Sequence, residues 1–162
     1  MMNHRIWIFT GVLLFCLLCA APVAAITVRH IDITVAENGD ADITADYTMN
    51  WMEQAVVYPA ALPLATAAAG DHAVIRSISP YRTQLTAKNF VSVRHTNGST
   101  VYTTPAFSSG DAQRELERFW FANLVTLGLT SGTLTVRFPD GATGDYTGLS
   151  SVPSFMHTVS VP

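Results

Sequence analysis

Three polar side chains have types and spacing suited to proton transfer or metal binding. His30 and Asp32 lie two residues apart in an alternating run, hence on one face of an extended strand, and Asp46 projects from the same face of the partner run. An imidazole and two carboxylates offer ligands to a divalent metal, or an acid and a base to a hydrolase. The same residues also read as ordinary charge on a wet sheet face. Asn38, Asp40, Asp42 and Asp46 occupy positions 1, 3, 5 and 9 of a calcium-loop spacing. That pattern fails at position 6, which holds Ile43, and at position 12, which holds Met49.

Residues 26–162 hold no HExxH, CxxC, GxSxG, P-loop or dinucleotide fingerprint, so cofactor chemistry has no sequence support and no cofactor is expected. Trp51, Phe119, Trp120 and Phe121 form an aromatic set that suits core packing. Phe121 alone points outward from its helical face and is the candidate aromatic contact. Asn97-Gly98-Ser99 fits the N-glycosylation sequon, and it is equally a preferred turn sequence.

The elements that position these groups follow from hydrophobic period. Ala41, Ile43, Ala45, Tyr47, Met49 and Trp51 alternate with Asp42, Thr44, Asp46, Thr48 and Asn50, and Ile31, Ile33 and Val35 alternate with His30, Asp32 and Thr34. Both runs are strands with one buried face, and odd-numbered side chains from Ile31 to Trp51 should point inward. A two-residue Asn38-Gly39 turn would set Val35 against Asp42. A three-residue turn with Gly39 left-handed sets Val35 against Ala41, Ile33 against Ile43 and Ile31 against Ala45, and is preferred.

A second hairpin joins residues 90–95 and 100–104, its register open between two- and three-residue loops. Leu134, Val136 and Phe138 mark another strand ending at Pro139-Asp140-Gly141, and residues 146–149 and 155–161 are candidate closing strands. Residues 111–124 put Ala112, Leu116, Phe119, Trp120 and Leu124 on one helical face. The alanine-rich residues 54–70 suit a short helix limited by Pro59 and Pro63, and within them the uncharged 55–69 could touch a membrane.

The chain has 162 residues, 49% apolar and 13% charged, with a net charge of −3. Collagen-like, disordered and disulfide-stapled classes are excluded. His4 and Arg5 precede an apolar run over 6–21, and Val23-Ala24-Ala25 supplies small residues at the peptidase positions, so residues 1–25 read as a signal peptide. The alternative is a retained anchor over residues 6–26, long enough to cross a bilayer. Cleavage leaves one exported domain, 26–162, without cysteine and with eight Lys or Arg against twelve Asp or Glu. That acidic balance gives no attraction toward nucleic acid.

The succession of signal peptide, ENGDADITADYT, an alanine-rich stretch, FWFANL, TVRFPDG and VPSFMHTV resembles uncharacterised exported β-rich proteins of archaea. The likeness spans most of residues 26–160, and it implies a cell-surface setting with no catalytic residue or ligand attached.

The sequence therefore predicts a single α+β domain, a mainly antiparallel sheet of hairpins covered by the 111–124 helix and a short alanine-rich one. A β-sandwich with a helical insertion is the alternative. The leading functional expectation is a non-catalytic extracytoplasmic module that binds or scaffolds an envelope protein or glycan. The alternatives are a hydrolase or metal-dependent enzyme on the His30/Asp32/Asp46 face and membrane association through 55–69.

Overall fold

The computed structural model describes residues 24–51, 54, 72–108, 110, 114, 125–128, 132–148 and 150–160. The two period-two runs become β1 (Ala24–Val35) and β2 (Ala41–Thr48). They pair antiparallel, with Val35 opposite Ala41, Ile33 opposite Ile43 and Ile31 opposite Ala45. The Ala36 amide donates to the Asp40 carbonyl at 2.8 Å, closing a three-residue loop in which Gly39 has φ of 87°. Apolar pairing thus dictated the register, and only glycine takes that φ without strain.

One departure lies at the start of β1. A bulge between Val28 and His30 leaves Arg29 without a partner, so Val28 rather than an odd-numbered residue points into the core there.

Beyond β2 come β3 (Ala73–Ile78) and β4 (Arg82–Ala87), then β5 (Ser92–Thr96), β6 (Ser99–Thr103), β7 (Phe107–Ser108) and β8 (Val125–Gly128). The chain ends in β9 (Thr133–Arg137), β10 (Thr143–Thr147), β11 (Ser151–Val152) and β12 (Met156–Ser160). A seven-stranded sheet runs β10-β9-β1-β2-β4-β3, with β8 alongside β1 as well. A three-stranded sheet runs β12-β6-β5, and β11 pairs with β7.

At the centre of the large sheet β1 lies parallel to β9 over His30–Thr34 and to β8 over Ala24–Thr27. The β9–β10 hairpin repeats the first turn. The Phe138 amide donates to the Ala142 carbonyl at 2.8 Å, and Gly141 has φ of 84°. In the second hairpin Thr96 pairs with Ser99, so its loop is the two-residue Asn97-Gly98.

The expected α+β class is corrected by this arrangement. Twelve strands carry the described residues, of which Trp51, Gln54, Gly110 and Arg114 alone are helical, and the fold is β-rich. The physical reason is that the apolar face of the large sheet is met by side chains from the smaller sheets. Val35, Ala41, Leu134, Val136 and Phe138 share one core with Val91, Tyr102 and Val152. Each large apolar side chain so buried contributes roughly 1.5–3 kcal/mol. Four ring contacts fasten the layers, among them Tyr102 to Phe138 at 6.3 Å and Phe138 to Phe155 at 6.1 Å.

Residues 111–124, apart from Arg114, and the alanine-rich 55–69 lie outside the described residues, as do 1–23. Ala24 and Ala25 belong to β1, where they pair with Val125 and Thr126, so cleavage after Ala25 would shorten that strand by two residues. Among the described residues no helix is long and apolar enough to cross a membrane.

Trp51 is a second correction. It was expected inward and is 77% exposed. The alternation outlives the strand: the last pair on one side is Thr48 with Thr27 and on the other Asp46 with Arg82, and past these the chain leaves the sheet. Tyr47 and Met49 are half-buried, as are Asp46 and Thr48.

Candidate functional site

The two faces of the large sheet present different chemistry. On the wet face the register brings His30 opposite Asp46, and His30 Nε2 lies 4.0 Å from Asp32 Oδ2. The three residues singled out by spacing therefore do converge. Each carboxylate, however, already has a cation. Arg82 donates from Nε and Nη2 to the two oxygens of Asp46 at 2.5 and 2.9 Å, and Arg137 Nη2 donates to Asp32 at 3.0 Å. His30 Nδ1 is bonded to Thr133 Oγ1 at 2.8 Å.

Arg82 holds the Asp46 carboxyl below its usual range, chiefly through those hydrogen bonds and further through its charge. A carboxylate so engaged is a poor base and a poor ligand. Among the described residues no group of three His, Cys, Asp or Glu is arranged to hold a metal ion.

The calcium-like residues are spoken for as well. Asp40 accepts from the Asn89 amide at 2.8 Å and from Asn38 Nδ2 at 2.9 Å, and these bonds pull its carboxyl low. Asn89 has φ of 52°, so Asp40 secures a left-handed residue after β4. Asp42 accepts from Thr86 Oγ1 and Arg76 Nη2. Asn97 is exposed at the tip of the β5–β6 hairpin. Phe121 lies outside the described residues.

The opposite face carries a cavity of about 290 Å³. Ile31 and Ile33 of β1, Ile43 of β2, and Leu134 and Val136 of β9 line it from the large sheet. Phe90, Val152, Phe155 and the segment 104–106 complete the lining. Its few polar groups are consumed internally: the Thr104 amide donates to the Phe155 carbonyl at 3.0 Å, and the Phe155 amide donates to Thr104 Oγ1 at 3.3 Å. Pro105 and Ala106, both exposed, bring the lining to the surface. Such a wall offers dispersion and water exclusion, with no hydrogen bond to give a ligand.

Spacing gave no sign of this cavity. Its residues run from 31 to 155 and each reads as core; Phe90 and the Pro105-Ala106 step after a strand were the signals that something other than sheet continues there.

No family model matches the chain, and no curated protein sequence does. Among solved structures, the folded domain of the Mycobacterium tuberculosis LppM protein aligns over 86% of this chain and 90% of its own, at 8% identity and a TM-score of 0.36. The archaeal setting suggested by the sequence resemblance gains no support from these comparisons.

Proposed function

We propose that this chain is a non-catalytic extracytoplasmic module at the cell envelope that holds an apolar small molecule between its sheets. The observation that carries this reading is the 290 Å³ cavity, lined almost entirely by apolar side chains, in which the hydroxyl and amide of Thr104 are bonded internally. An engineered apolar cavity of about 150 Å³ stays dry and binds benzene, so one near twice that volume suits a short aliphatic chain or a fused-ring hydrocarbon. At about 30 Å³ per water-sized unit it takes roughly ten non-hydrogen atoms. The signal-like residues 1–25 support the envelope setting.

The test is binding of naphthalene, whose ten carbons match that capacity and whose fluorescence reports it, and its displacement by octanoate, on the native protein and on Ile43→Phe, which fills the cavity from β2. Probe affinity is expected to fall at least tenfold in the variant while its melting temperature is kept. Equal affinity in both, or no saturable binding, defeats the reading.

A further inference from the structure

We infer that the end of the large sheet where β1 begins is a membrane-apposed surface, with Trp51 seated at the lipid interface. The register places these features together. In sequence the apolar run over 6–21 stops shortly before Ala24, where β1 begins three residues ahead of Thr27, and Trp51 lies three residues past Thr48, the partner of Thr27. The start of β1, which is paired there with β8, and Trp51, which has left β2, thus lie at the same end of the sheet.

Trp51 is 77% exposed at that end. One step toward the sheet, the Tyr47 amide donates to the Tyr81 carbonyl at 3.0 Å, which sets the β3–β4 turn beside β2, and Tyr81 is 60% exposed. Arg29, extruded by the β1 bulge, is exposed at the same level.

A tryptophan held in water gains nothing from its exposure. Its indole has an apolar body and one N–H donor, the combination that concentrates at the boundary between hydrocarbon and headgroups. Tyrosine and arginine on the waterward side suit the headgroup layer, about 5–7 Å deep on each side of the hydrocarbon core. The occupant is therefore a phospholipid bilayer, reached when the apolar N-terminal run is still attached. This rests on the sheet register and the N-terminal run, independently of the cavity.

The experiment uses the full chain bearing Trp7→Phe, reconstituted into phosphatidylcholine vesicles with and without bromine on the upper acyl chain. Brominated lipid is expected to quench the emission, and adding Trp51→Phe should abolish most of that quenching. The inference is overturned if the chain fails to float with the vesicles, if bromine leaves the emission unchanged, or if quenching persists undiminished without Trp51. Octanoate displacement on the same samples reads the cavity separately.

Discussion

The imidazole of His157 lies stacked on the ring of Phe138, their centroids 4.4 Å apart. The contact joins β12 of the three-stranded sheet to the end of β9 in the large one. From that position His157 Nε2 donates to the Asp140 carboxylate at 2.8 Å, clasping the β9–β10 turn. One side chain thus links apolar stacking between sheets to a hydrogen bond at the rim.

The Asp140 bond sets a pH dependence. Hydrogen bonds from His157, and then from the Ala142 amide, hold the Asp140 carboxyl below its ordinary value of 3.8. A group whose folded pKa is depressed contributes stability that is full above the unfolded value and fades as the pH falls through the folded one. Denaturant midpoints from pH 6 down to pH 3 are therefore expected to show wild type above Asp140→Asn near neutrality, with the gap closing below about pH 4. A gap that stays constant to pH 3 would show that the clasp contributes nothing through ionisation.

The three tight-turn glycines separate conformational strain from collision. Gly39, Gly98 and Gly141 have φ of 87°, 82° and 84°. A Cβ added at Gly98 or Gly141 meets nothing, whereas at Gly39 it would run into the Val91 carbonyl oxygen and lie 2.9 Å from Val93 Cγ2. Alanine at 98 or 141 is expected to cost about 1–2 kcal/mol, the strain of a left-handed residue. Gly39→Ala should cost clearly more, since the obstacle is Val91 backbone that is itself tied to the turn: the Val91 amide donates to the Gly39 carbonyl at 2.9 Å. Equal melting temperatures for the three variants would refute this ranking.

Turn chemistry and period two made the first hairpin and β9 readable, because only one loop length puts Val35, Ile33 and Ile31 against apolar partners. β4 was not readable. Its sequence RTQLTA offers only Leu85 and Ala87 as apolar residues, and its strand character comes from pairing with β2. Arg29 was invisible for another reason, since a bulge reverses parity without any composition signal.

At the candidate sites the same division holds. The shared face of His30, Asp32 and Asp46 follows from strand phase, but their partners Arg137 and Arg82 come from strands 105 and 36 residues away. Local pattern cannot reveal such pairings, nor a cavity assembled from four strands and the loops beside them.

Those pairings predict weak metal binding at the wet face. The Asp46–Arg82 bridge is partly exposed on both sides, so a double-mutant cycle should show a small coupling that shrinks further as salt is added. Zinc added to the native protein should leave the melting temperature unchanged, because Asp32 and Asp46 are already neutralised. A rise that disappears in the His30→Ala, Asp32→Ala double variant would return metal binding to consideration.

Asn97 is the position where covalent modification is expected. The two-residue loop puts Asn97 at the exposed tip, Gly98 supplies the positive φ of 82°, and Ser99 begins β6 with its hydroxyl 2.7 Å from that of Thr96. The acceptor amide and the hydroxyl two residues on are thus presented outward on a short turn, where a sugar would displace no core side chain. Secretion from a host that glycosylates exported proteins should add the mass of one glycan. Asn97→Gln and Ser99→Ala should each remove that increment, and Asn97→Gln should leave the melting temperature within about 0.5 kcal/mol of the parent in stability terms, as surface changes away from caps and cores do. An unmodified mass for the wild-type chain, secreted beside a reporter carrying its glycan, would show that this tip serves only as a turn.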